Sequence, residues 1–282
     1  MIGSREKTKE LSNFLFLDSF YLDKMNLNIN SKNALVCGST QGIGKASAMG
    51  LAAEGVNVTL IARNEEKLKA VLSELPNNNQ KHSYIVADFS NPTELKSKIE
   101  ASNLDFHILV NNTGGPAGGP VFNASLDEFE SAFTQHLKCN HVLVQAIVPF
   151  MKSEGFGRVI NVISTSVKQP LDGLGVSNTI RGAVASWSKT LANELGQFGI
   201  TVNNVLPGAT GTERLTEIIN NKANKTGLSV DEVSKNMMNA SPAKRFAKPE
   251  EIANAVVFLA SEKASFINGI NVPVDGGRTK SL

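Results

Sequence analysis

ALVCGSTQGIG, residues 34–44, runs from a short apolar stretch through glycines at 38, 42 and 44 into the helix-forming stretch KASAMGLAAEG (45–55). The first run, ALVCG, is long enough for a strand and too short for a helix. Glycines at this spacing let the chain turn tightly. They bring Gly38, Ser39, Gln41, Gly42, Ile43 and Gly44 against a pyrophosphate, whose charge meets the N-terminus of the next helix. Gly55 stops that helix. A strand, a glycine turn and a helix in this order open a doubly wound α/β sheet, and the same alternation is expected downstream.

The alternation continues. VTLIA (58–62), YIVAD (84–88), HILVN (107–111), RVINVI (158–163) and ITVNNVLPG (200–208) are short runs rich in β-branched residues. Their continuous apolar character suits strands buried on both faces of a parallel sheet. INGINVPVDGG (267–277) adds a seventh run. The expected fold is a mostly parallel seven-stranded sheet with helices on both faces, one Rossmann-like domain over residues 25–282. No repeat or linker interrupts it, and the polar LPNNNQKH (75–82) reads as a surface loop. Residues 1–24 read as a loosely attached extension, as sequence upstream of a start at Met25, or as a short helix over a subunit interface. Asp18 and the lack of a small-residue cleavage site argue against a secretory signal.

Composition narrows the function. The 282 residues are 41% hydrophobic and 19% charged, with a formal net charge of +2. That is an ordinary globular balance, and it points to neither nucleic acid nor a membrane as a partner. No apolar run reaches the roughly 18 residues of a spanning helix. Cys37 and Cys139 lack metal spacing and read as buried residues of a protein in a reducing cytoplasm.

The end of the second strand selects the nucleotide. Chains that hold an NAD ribose usually carry an Asp or Glu about 20 residues past the first glycine. The window VTLIARN (58–64) has no acid and offers Arg63 first. A guanidinium suits a 2′-phosphate, so NADP(H) is expected rather than NAD. The alternative is an Arg63 that only covers the sheet edge, with Glu65 and Glu66 as partners.

Taken with NNTG (111–114), ADF (87–89), LPGATGT (206–212) and ASFINGINVPVDGG (264–277), the glycine motif resembles the short-chain dehydrogenase/reductase family over roughly residues 30–278. The 3-oxoacyl-carrier-protein reductases look most similar. The resemblance implies that Asp88 holds the adenine and that Asn112, Thr113 and Gly114 line the nucleotide. It also implies that the loop with Pro207, Gly208 and Thr212 closes over the nicotinamide. The family's catalytic Asn, Ser, Tyr and Lys fall on His136, Ser164, Ser177 and Arg181, so only the Ser is retained. The only tyrosines are Tyr21 and Tyr84, so no realignment restores one. STSVKQP (164–170), GVSNTIRGAV (175–184) and TERL (212–215) resemble a divergent subgroup lacking the Tyr-x-x-x-Lys pair.

Val176, Ile180, Val184, Trp187, Leu191 and Leu195 recur near the helical period, which places Ser177 and Arg181 on one helix face. Reducing a ketone requires a hydride, a stabilised alkoxide and a proton. Serine is too weak an acid and too short to replace tyrosine. Arginine stays protonated, yet it can bind ribose hydroxyls or an oxyanion. Ser164 is expected to donate to a substrate oxygen. His136, with an ordinary pKa of about 6.5, and Lys168, whose pKa would fall if partly buried, are candidate proton donors. The plainer readings are a His136 that holds a water or a main-chain carbonyl and a Lys168 that is solvated or faces phosphate.

Residues 210–246 read as a lid of two helices broken at Thr226–Gly227. Met237 and Met238 would contact an acyl chain or simply pack, and Lys244 and Arg245 would face an anion or solvent. Two functions follow. One is an NADP(H)-dependent oxidoreductase acting on a carbonyl such as a 3-oxoacyl thioester. The other is a non-catalytic NADP(H)-binding sensor or subunit. The resemblance also implies a homodimer or homotetramer through the helix at 176–196.

Overall fold

A computed structural model describes residues 25–281, and the expectations for residues 1–24 fall outside them. All seven expected strands form: β1 (Asn33–Cys37), β2 (Asn57–Ala62), β3 (Ser83–Val86), β4 (Ile108–Asn111), β5 (Gly157–Val162), β6 (Ile200–Pro207) and β7 (Asn271–Val274). They pair in the order β3-β2-β1-β4-β5-β6-β7, every neighbour parallel. The direction of winding reverses between β1 and β4. The loops leaving those two strands diverge there and open a crevice at the strand C-termini.

Nine helices connect the strands among the described residues: α1 (Gly42–Ala53), α2 (Glu65–Glu74), α3 (Pro92–Ala101), α4 (Leu126–Phe133), α5 (Cys139–Glu154), α6 (Gly175–Leu195), α7 (Glu213–Thr226), α8 (Val230–Asn239) and α9 (Pro249–Ala260). Local chemistry sets several starts. Asn64 caps α2, Asn91 followed by Pro92 starts α3, and Ser125 with Glu128 closes a capping box on α4.

The strands alternate between two apolar layers. Ala34, Val36, Val58, Leu60, Ile108 and Val110 pack on one side against Leu51 of α1, Leu68 of α2 and Val256 of α9. Leu35, Cys37, Ile61 and Leu109 pack on the other against Leu95 of α3, Leu143 and Ile147 of α5 and Leu195 of α6. Burial on both faces holds for β1, β4, β5 and β6. The edge strands β3 and β7 are mostly half-buried, because each lacks a neighbour on one side.

An asparagine ladder crosses the sheet beneath the crevice. Asn111, Asn161, Asn204 and Asn271 sit in register on β4 to β7. Asn111 donates to Asn161 at 2.8 Å, Asn161 to Asn204 at 2.9 Å, and Asn204 to Asn271 at 2.8 Å. Asn161 also donates to Ser188 of α6 at 3.3 Å. These bonds tie the helix that carries Ser177 and Arg181 to the strand ends.

Candidate active site

The glycine turn is a cradle that side chains would fill. Gly38 has φ +58°, and a Cβ there would overlap the Asn112 carbonyl. Gly44 lies against the Gly38 carbonyl, with Asn112 Nδ2 only 2.7 Å from where its Cβ would be. That same Nδ2 donates to the carbonyls of Cys37 at 3.2 Å and Gly38 at 3.3 Å. The end of β4 therefore clasps the turn after β1. Gln41 stands at the N-cap of α1 without a side-chain bond to it, so the helix presents uncapped N–H groups to an incoming anion. Gly114 and Gly115 border open space. These features fit a dinucleotide. Ser39 is fully buried, and its hydroxyl accepts from Ile61 N–H at 3.1 Å, which ties the turn to β2.

Arg63 is exposed at the end of β2, with no hydrogen bond or ion pair among the described residues. Glu65 pairs instead with Lys69 at 3.0 Å and accepts from the Tyr84 hydroxyl at 3.0 Å. Lys67 reaches back across the turn to donate to Gln41 at 3.4 Å. It was not among the expected site residues. Asp88 is half-buried and accepts from Ser90 N–H at 2.9 Å.

The loop after β6 curls over the cradle. Gly208 N–H donates to Val274 at 2.9 Å. Thr212 caps α7, and its methyl carbon lies 3.0 Å from where a Gly42 Cβ would be. Arg214, also unexpected, donates to the carbonyls of Pro116 at 3.0 Å and Gly115 at 3.5 Å, latching α7 to the loop after β4. Helix α7 ends at Thr226, and Gly227 follows with φ +74°. Leu215, Ile219 and Val233 form a small core of their own, which Met237 helps to cover. Arg245 is held by Glu251 at 2.6 Å through both oxygens.

His136, Ser164 and Arg181 gather around the ends of β4 and β5, and Ser177 lies one turn before Arg181 on α6. Ser164 caps a short 3₁₀ turn (Thr165–Val167), its Oγ accepting from Ser166 N–H at 3.1 Å, which leaves its own proton free to donate. Ser177 is half-buried and makes no hydrogen bond among the described residues. Arg181, one turn later, is buried and donates to the carbonyls of Val162 and Thr113, both at 3.4 Å. Burial pulls its pKa down to about 10, so it remains a cation. Lys168 ends the 3₁₀ turn, half-buried, and its carbonyl accepts from Ser281 at 3.4 Å.

His136 sits in a widened, π-type turn (Thr134–Lys138) between α4 and α5, a distortion frequent at functional sites. Its ring is 1% exposed; Nδ1 meets Thr113 Oγ1 at 2.6 Å, and Nε2 has no partner among the described residues. Burial, and then the Arg181 charge, push its pKa down to about 2. The imidazole is therefore neutral across the physiological range and cannot act as a cationic acid, contrary to what its ordinary pKa suggested. It also lines an open cleft of about 400 Å³ whose rim includes Asp127 and Glu128.

Tyr84 lies on the edge strand β3, bound to Glu65, and Tyr21 lies outside the described residues. Cys37 and Cys139 are free and buried, as expected, and burial pushes both thiols up, that of Cys139 to about 12. Among the described residues no His/Cys/Asp/Glu group could hold a metal, and no helix is long and apolar enough to cross a membrane.

The family model described as enoyl-(acyl carrier protein) reductase matches residues 38–279. The chain belongs to the short-chain dehydrogenase/reductase family. Within that family it is 29% identical over 259 residues to the NADPH-dependent reductase BacG of Bacillus subtilis, covering 90% of this chain and 100% of that protein. It is 32% identical over 253 residues to the 3-oxoacyl-[acyl-carrier-protein] reductase FabG of Staphylococcus epidermidis, covering 88% and 98%. Among solved structures, L-sorbose reductase from Gluconobacter frateurii, complexed with NADPH and L-sorbose, superposes with a TM-score of 0.85 at 30% identity, over 92% of this chain and 100% of that one.

Proposed function

We propose that the chain is an NADP(H)-dependent oxidoreductase that interconverts a small-molecule carbonyl and its alcohol, with a 3-oxoacyl thioester as one candidate substrate. The observation that carries this reading is the buried Arg181 cation beside the free Ser164 proton, at the mouth of the glycine cradle. NADPH-dependent relatives support it. The bound nucleotide would supply the hydride.

Gly38, Gly42, Ile43, Gly44 and Gln41 would hold the pyrophosphate, Asp88 the adenine, and Asn112 to Gly114 with Pro207, Gly208 and Thr212 the nicotinamide end. Arg63 and Lys67 would take the 2′-phosphate. Arg63→Ala is therefore expected to weaken NADPH about tenfold and leave NADH nearly unchanged, as read by fluorescence titration with both nucleotides. Equal losses for both would remove Arg63 from the phosphate site.

Ser164 donates to the carbonyl oxygen, which gains charge as the carbon takes the hydride, and the Arg181 cation keeps that end of the site positive. The short Ser177 leaves room for the proton source. Neutral His136, held by Thr113, relays a proton from water, one nitrogen accepting as the other donates; Lys168 is the other candidate donor. Helices α7 and α8 act as a lid that Arg214 latches shut. The chain works in the cytoplasm as a homodimer or homotetramer through α6.

The missing tyrosine favours a second reading, a non-catalytic NADP(H) sensor or subunit. NADPH oxidation across 3-oxoacyl thioesters, ketones and aldehydes separates the two. Turnover that Arg181→Ala or Ser164→Ala removes, with NADPH binding measured alongside, upholds the reductase. Tight binding with no turnover upholds the sensor.

A further inference from the structure

Arg158 and Arg181 are both buried, and they are held in opposite ways. Arg158 donates to the carbonyls of Ser261 at 3.1 Å, Gly157 at 2.8 Å and Gly199 at 3.1 Å. Its guanidinium carbon lies 4.2 Å from the Phe156 ring centroid, and Glu262 supplies a favourable charge nearby. The protein thus gives that side chain three acceptors, a ring face and a nearby negative charge. Arg181 has two hydrogen bonds, both long at 3.4 Å, so three of its five N–H groups have no acceptor among the described residues. No carboxylate pairs with it and no ring stacks on it there. Its ionisable neighbour, His136, is neutral and would repel it if protonated.

A buried cation without a counter-charge is costly, and Arg181 lacks the third acceptor, the ring face and the nearby carboxylate that Arg158 has. Neutral ribose hydroxyls would fill donors without offsetting the charge. An alkoxide offsets it only during the reaction. A ligand with a permanent negative charge does both. The surroundings suit one: Ser164 offers a free hydroxyl proton, and the small Ser177 sits one helical turn from Arg181 with its hydroxyl unbonded among the described residues. The carboxylates Asp127 and Glu128 line the cleft beside His136, which disfavours an anion at that end.

We infer that the substrate carries a carboxylate seated on Arg181 beside Ser164, which makes it an oxo acid, or the corresponding hydroxy acid, rather than a neutral carbonyl compound. This rests on the reductase reading and narrows its substrate class.

The test uses the purified full chain and binding alone. NADP+ affinity is measured first. The NADP+ complex, which cannot reduce an oxo acid, is then titrated with acetoacetate, 4-oxopentanoate and 5-oxohexanoate, and with the amide of each. At least one acid is expected to bind about tenfold or more tightly than its amide, the scale of a charge-assisted bond. Arg181→Met, at saturating NADP+, should erase that preference, and Arg181→Lys should keep part of it. If NADP+ does not bind, the reductase reading itself fails. If NADP+ binds and no acid outbinds its amide, or if the preference survives in Arg181→Met, the carboxylate seat is overturned. The wild-type comparison decides the matter even should the variant fail to fold.

Discussion

Gly44→Val is expected to lower the melting temperature by about 10 °C and to abolish NADP(H) binding. The added carbons would enter the space held by the Gly38 carbonyl and by Asn112 Nδ2, 2.7 Å from the new Cβ. Neither neighbour can retreat cheaply. The first is backbone on a turn that already needs φ +58° at Gly38. The second is the amide that bonds Cys37 and Gly38. Overpacking of this kind costs about 1–3 kcal/mol, and each lost buried bond adds about 1. A total of about 3–4 kcal/mol corresponds to roughly 10 °C in a chain of this size. Gly114→Val is the contrast. No atom stands within 4 Å of its Cβ position, so the melting temperature should hold while nucleotide affinity falls, because the new side chain projects into open space beside Thr113. Calorimetry with NADPH titration of both variants checks the pair. A stable Gly44→Val that still binds NADPH would refute the cradle geometry.

The sheet was legible because each strand is written as a short β-branched run, and the inner strands are buried on both sides as those runs imply. The ladder was legible in principle: Asn111, Asn161, Asn204 and Asn271 recur near the ends of four successive runs, and parallel register then brings them together. The candidate site was legible only in part. His136 could be placed by position, but its charge state could not. That depends on a contact with Thr113, 23 residues away, and on burial beside Arg181, and neither leaves a local pattern. Arg214 was missed for a related reason. Its acceptors are main-chain carbonyls of Gly115 and Pro116, which every residue carries and no sequence marks. Arg181 itself was legible as a residue type at a spacing. That it is buried without a carboxylate required the fold.

Acid is expected to destabilise the wild-type protein more than the His136→Asn variant, by about 2 kcal/mol between pH 7 and pH 5. In the folded chain His136 has its pKa near 2, whereas unfolding restores the ordinary value near 6.5. Below pH 6.5 the unfolded state binds a proton that the folded state refuses. The unfolded state is therefore favoured as pH falls, at up to about 1.4 kcal/mol per unit, and the penalty is absent above pH 6.5. At pH 5 the gap of 1.5 units corresponds to about 2 kcal/mol. Asparagine removes the titration while still offering Thr113 a partner. His107, also lowered mainly by burial, titrates in both proteins and cancels in the difference. Denaturant unfolding at pH 7, 6 and 5 measures it. Parallel slopes for the two proteins would mean that His136 is protonated in the native state near neutrality. It would then again be a candidate cationic acid, and its neutral relay role would be lost.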